Sequence, residues 1–265
     1  MLAGFALLLY PTIGEYINSK HSAGMIASYN EAYLNTAEEK RKEMLLDAEN
    51  YNSRLKGVTS SLLDPTQVVG YNQILDPTGT GVMGYIDIDK IGVELPIYHG
   101  TDSGVLQVGV GHIEGSSLPV GGESTHCVLS GHRGLPSAKL FTDLDELVIG
   151  DTFTITVLDR VMTYQVDQVM IVLPEEVSGL LIEDGKDYCT LVTCTPYGIN
   201  THRMLVRGVR INGNNTRPAG IFVSNEAFKI DTVIVATVIA LPAFVAVVVV
   251  TIILERRRTK HVKKQ

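Results

Sequence analysis

Residues 190–203 read TLVTCTPYGINTHR, and the fold and chemistry of the chain turn on how this stretch is read. Leu191 and Val192 with the β-branched Thr190 and Thr193 form an apolar strand, continued backwards by Tyr188. Pro196 and Gly198 stop it just after Cys194, so the thiol sits at a strand end, where a rigid scaffold presents a group to solvent. A cysteine nucleophile acts as the thiolate, and an unperturbed thiol with a pKa near 8.5 needs a neighbouring cation to be ionised at neutral pH. Seven histidines compete for that role. His132, in VLSGHRG at 128–134, follows a short apolar strand and lies in a Gly-flanked turn, so it is the preferred partner. His99, His112 and His126 read as satisfied loop or core histidines, and His202 faces away from its neighbour Arg203 on a strand. His21 and His261 flank apolar segments at the two ends of the chain. On the residues alone, Cys194 is either a nucleophile or a buried structural thiol, and Arg203 either an oxyanion donor or a surface charge, with Arg133 and Arg207 as weaker rivals.

TLVTC with Arg203 and SGHRG does not stand alone. MGYI at 83–86, LPIYHGT at 95–101, SLPVGGESTH at 117–126, GHRGLPSAKLFTDLDEL at 131–147 and CTPYGINTHRMLVRG at 194–208 follow in order. Together they resemble the class C, pilus-assembling branch of the sortases, over about residues 60–211. The resemblance implies a mainly β fold: a closed sortase-type β-barrel with short decorating helices, an N-terminal amphipathic helix and a C-terminal transmembrane helix. It implies catalytic roles for Cys194, His132 and Arg203, as nucleophile, general acid and oxyanion donor. The implied reaction cuts an LPxTG-like signal between Thr and Gly through a thioacyl intermediate. An amine then resolves the thioacyl, either a pilin lysine or the cell-wall precursor, so the expected partners are LPxTG-bearing pilin or surface proteins, that amine acceptor and the membrane. A membrane-anchored cysteine protease hydrolysing the same kind of site is the alternative, and a non-catalytic anchored scaffold is a third reading. Class C sortases also carry a lid with an Asp-Pro-aromatic motif over the active site. Asp64-Pro65-Thr66 occupies that place with a threonine where the aromatic belongs, which leaves Asp64 as the expected tether to Arg203.

Composition suits a membrane protein and opposes nucleic-acid binding. The net charge of −7 conceals a basic tail: residues 255–265 hold six Lys/Arg and one acid, leaving a body with 16 basic against 28 acidic residues. An acidic body lacks the basic face a polyanion requires. Three cysteines and no CxxC spacing suggest no structural metal, and no cofactor is expected. Cys127 and Cys189 each precede a catalytic candidate by five residues, His132 and Cys194 respectively. In the implied barrel the two strands are parallel neighbours. The spare cysteines should then lie opposite each other, facing away from the catalytic face, as a disulfide or as two buried thiols.

The remaining chain divides as follows. Residues 1–13 are apolar but too short to span a bilayer and read as the remnant of a signal or anchor segment whose beginning is missing. Residues 14–58 form a helical region, in which Ile26, Tyr29, Tyr33, Ala37, Met44, Ala48, Tyr51 and Leu55 recur at helical steps over 26–55 and predict one amphipathic helix. Residues 59–81 contain two Asp-Pro steps and read as a lid-like loop. Residues 82–211 alternate short strands with turn signals, including strands at 105–110 and 162–173, and predict the barrel, with short helices near 137–147 and 174–181. Residues 212–231 are a linker. Residues 232–254 carry no charge over 23 positions and predict a transmembrane helix, and the basic tail 255–265 places its far end in the cytoplasm and the barrel outside.

Overall fold

The computed structural model describes residues 2–56, 62, 64–65, 69–211 and 215–216. Eight strands close a barrel: β1 (Val82–Ile88), β2 (Val93–His99), β3 (Val110–His112), β4 (Thr125–Ser130), β5 (Thr152–Val157), β6 (Arg160–Val172), β7 (Asp187–Thr195) and β8 (His202–Arg210). Around the barrel the order is β5-β1-β2-β3-β4-β7-β8-β6, and β6 pairs back onto β5. A two-residue strand, β9 (Asn215–Thr216), adds to β6 at Arg160 and Val161. Two neighbouring pairs are parallel, β2–β3 and β4–β7; the others are antiparallel.

Side chains alternate across each strand, and here both faces of β7 are apolar. Cys189 and Leu191 point into the barrel core with Cys127, Leu129 and Val206. Val192 points outward into a second, smaller cluster with Val128, Leu180 and Leu205. A strand covered on both faces reads as a continuous apolar run, as residues 188–193 do.

Two helices precede the barrel where the sequence predicts one over 26–55: α1 (Leu2–Asn35) and α2 (Glu38–Leu55). The break falls where Ala37 is extended (φ −57°, ψ 146°), and Glu38 and Glu39 then enter the first turn of α2, where the helix dipole favours acids. Asp159, in the β5–β6 turn, locks the corner. It accepts from Tyr33 Oη at 3.0 Å and from Arg41 Nε at 3.1–3.2 Å, and the Arg41 guanidinium lies 4.7 Å over the Tyr33 ring. α1 also runs uninterrupted across the expected boundary at residue 13.

Tyr29 helps to dock α1 on the barrel. Fully buried, it donates to the Met83 carbonyl (2.9 Å) and accepts from the Leu158 N–H (2.8 Å), joining α1 to β1 and to the end of β5. Tyr29→Phe keeps the ring and strands both backbone groups, so a loss of roughly 2–4 kcal/mol is expected in denaturant unfolding. A loss under about 0.5 kcal/mol would mean that water replaces the hydroxyl.

Three other expectations are corrected. Residues 105–110 are not a strand: α3 (Ser103–Val108) occupies most of them, with Val105 and Val108 packed against the core one helical turn apart, and β3 begins only at Val110. Residues 137–147 hold turns and a single 3₁₀ turn at Leu144–Glu146, because successive i to i+3 bonds (Thr142 to Lys139, Leu144 to Phe141) close the chain too tightly for an α-helix. Phe141 and Leu144 are nevertheless fully buried. The segment 174–181 holds only a 3₁₀ turn at Ser178–Leu180. Among the described residues no helix is long and apolar enough to cross a membrane, and the predicted span 232–254 lies outside them, as do the tail 255–265 and all of the predicted linker 212–231 except Asn215 and Thr216, which form β9.

Candidate active site

Cys194 lies near the end of β7 and Arg203 near the start of β8, directly paired in the antiparallel register. Directly opposite residues share a face, with Cβ atoms about 4.5–5.5 Å apart. That face is the outer one: Cys194 follows Val192 by two residues and Arg203 precedes Leu205 by two, and both Val192 and Leu205 belong to the outer cluster. Both site side chains are half-buried.

His132 arrives from the other side of β7. The parallel register pairs Val128 with Thr190 and Ser130 with Val192, so His132 lies as far beyond Ser130 as Cys194 lies beyond Val192. Three hydrogen bonds hold its loop there: Gly131 N donates to Val192 O (3.0 Å), Thr193 Oγ1 to Gly131 O (2.8 Å), and Phe141 N to His132 O (3.1 Å). Gly131 is required by close approach, since a Cβ there would lie 2.6 Å from the buried Phe141 ring. The candidate thiol, imidazole and guanidinium thus come from three adjacent strands at one rim of the barrel.

The rival groups are committed elsewhere. His112 is buried, bonded to Tyr71 Oη (2.9 Å) and the Ser117 carbonyl (2.9 Å). His99 bonds the Gly81 and Ile74 carbonyls, and His126 bonds the Leu181 carbonyl and Thr190 Oγ1. Burial pushes the His99 and His126 imidazoles below their ordinary value, so both are structural neutral groups. Arg207 is tied to Asp167 and Glu183 and stacks 4.2 Å over Tyr188. Arg133 pairs with Asp145 at 2.5 Å. Arg203, by contrast, donates only to the Asn200 and His202 carbonyls (3.2 and 3.1 Å) and forms no ion pair among the described residues.

The expected Asp64–Arg203 tether is therefore not formed here. Asp64 is exposed, Pro65 half-buried, and Thr66 lies outside the described residues. Leu62, like Ile113, Met170 and Val172, packs against the outer apolar cluster of Val128, Leu180, Val192 and Leu205. Sequence reading overlooked this contact, although the two-sided apolarity of 188–193 was the available signal.

Cys127 and Cys189 are directly opposed in the β4–β7 register and face the core, away from Cys194, as the odd offset requires. Both are free thiols, and burial pushes the Cys189 thiol well above its ordinary value.

A thiol, an imidazole and a guanidinium on one rim suit covalent acyl transfer. The family model described as the Sortase domain matches residues 86–211. Among solved structures, sortase C1 of Streptococcus agalactiae is 48% identical (TM-score 0.65), covering 71% of this chain and 98% of that one. Sortase C of Streptococcus pneumoniae is 44% identical (TM-score 0.67), covering 74% and 99%. Sortase D of Bacillus subtilis is 34% identical over 131 residues, and the match spans 48% of this chain and 63% of that relative's length. The chain belongs to the sortase family, with class C sortases as its structural neighbours. Sortases are cysteine transpeptidases.

Proposed function

We propose that this protein is a membrane-anchored transpeptidase that cleaves an LPxTG-like sorting signal between Thr and Gly and joins the new carboxyl end to an amine. The observation that carries the reading is the register pairing of Cys194 with Arg203 on the outer face, with His132 at the matching level of the parallel neighbour. Cys194 Sγ attacks the threonyl carbonyl, and the developing oxyanion is held by the Arg203 fork. As the C–N bond breaks, His132 imidazolium gives its proton to the departing glycine amine, leaving a thioester. An incoming amine then attacks the thioester and passes a proton back to His132, and the Cys194 thiolate leaves. The pneumococcal sortase C is a protein with pilin substrate specificity. That supports a pilin lysine as the acceptor here, with the cell-wall precursor as the other amine. The membrane anchor rests on the uncharged run 232–254 and its basic flank.

The decisive measurement is mass spectrometry of an LPxTG peptide incubated with the full chain in detergent, with and without an amine. Amine-dependent ligation supports the reading, and release of free acid at the same rate in both arms would make the protein a protease.

The lid belongs to the same reading, with Leu62 as its contact on the outer face. Leu62→Ala removes half-buried apolar area, about 1 kcal/mol, so alkylation of Cys194 should accelerate about fivefold. No acceleration would mean that Leu62 does not restrain access to the thiol.

A further inference from the structure

Beyond Gly131 the loop carrying His132 leaves the sheet, and beyond Thr195 so does the turn that follows Cys194. Arg133 is the side chain that meets both. Its side chain is only 10% exposed, its Nη2 bonds the Asp145 carboxylate at 2.5 Å, and its guanidinium lies 6.0 Å from the centre of the Tyr197 ring. Asp145 belongs to the 3₁₀ turn at Leu144–Glu146, and Tyr197 belongs to the turn that follows Cys194. Tyr197 also presses on the next residue of the histidine loop: a Cβ on Gly134, whose φ is +78°, would lie 2.9 Å from the Tyr197 ring. Gly134 N is held in turn by Thr142 Oγ1 (3.1 Å). Three segments without ladder hydrogen bonds therefore converge on one guanidinium.

Arg133 Nε is buried with no hydrogen-bond partner among the described residues. A buried donor left unpaired costs stability, a cost that a side chain without that donor would not carry.

We propose that Arg133 is a positioning residue, joining the His132 loop to the turn after Cys194 through Tyr197 and to the Leu144–Glu146 turn through Asp145, and so fixing the imidazole relative to the thiol. The inference rests on the acyl-transfer reading of His132 and Cys194. Arg133 acts through the loop and not on the reacting atoms. Its effect is on geometry, and a displacement of about 1 Å in a catalytic group costs up to about 10²-fold in rate.

The test uses the full chain in detergent, with peptide ligation kinetics and the pH profile of Cys194 alkylation by a small haloacetamide. Arg133→Met should lower kcat by about 10²-fold with KM unchanged, and move the alkylation profile towards that of His132→Ala. Asp145→Asn and Tyr197→Leu, at exposed side chains that leave the core intact, should move both readouts the same way by smaller factors, while Tyr197→Phe, which keeps the ring, should not. Arg133→Met with a lowered melting temperature but wild-type kcat and alkylation profile overturns the proposal, as does a change confined to KM. If His132→Ala leaves the alkylation profile of the wild type unaltered, the acyl-transfer reading falls and the proposal falls with it. If His132→Ala alters the profile and Arg133→Met, Asp145→Asn and Tyr197→Leu do not, only the proposal fails.

Discussion

Cys194→Ala produces no thioacyl intermediate and no ligated product, because the bond that stores the acyl group is the one its sulfur makes. His132→Ala lowers turnover by about 10⁴-fold, the upper end of what a positioned general acid contributes. The two losses do not multiply in the double variant: once the thioester cannot form, there is no leaving amine for the imidazole to protonate. The check is intact-mass detection of the acyl-enzyme with a sorting-signal peptide, alongside single-turnover kinetics. Ligation by Cys194→Ala at the wild-type rate would remove the thiol from the mechanism altogether. A His132→Ala variant within threefold of wild type would pass the acid role to another group, and the structure offers few: the other histidines of the barrel bond backbone carbonyls or a neighbouring hydroxyl.

Arg203→Ala reduces turnover by about 10²–10³-fold, the usual loss when one oxyanion donor is removed. Among the described residues the guanidinium is anchored only to the carbonyls of Asn200 and His202. Its remaining donors are therefore not spent on a carboxylate, as those of Arg207 are on Asp167. Arg203→Lys keeps the charge but not the planar fork and should recover only part of the loss. Full recovery would show that charge alone suffices. If alanine at 203 leaves kcat intact and raises KM, the residue binds the peptide without stabilising the transition state.

The amino-acid sequence determined the components of this protein. Strand-forming runs bounded by Pro and Gly located Cys194 and His132 at strand ends, because those residues act locally on the backbone. The odd five-residue offset of Cys127 and Cys189 determined that both point away from the catalytic face, since side-chain direction on a strand has period two. Closure of the barrel, the β4–β7 register and the outer apolar cluster depended on contacts between segments far apart in the chain, to which local periodicity is blind. Tertiary structure also overrode local pattern. Residues 105–110 alternate well enough for a strand, yet burying Val105 and Val108 on the same side takes a helical turn. The break at Ala37 arises because the Tyr33–Arg41–Asp159 cluster bends the helical region onto the β5–β6 turn. Asp64 is a local reading of a motif, whereas Leu62 packs on the outer face of β4, β7 and β8 because that face is apolar and must be covered. The partners of Arg133 show the same limit: Asp145 and Tyr197 lie twelve and sixty-four residues away, and only folding brings them to one guanidinium.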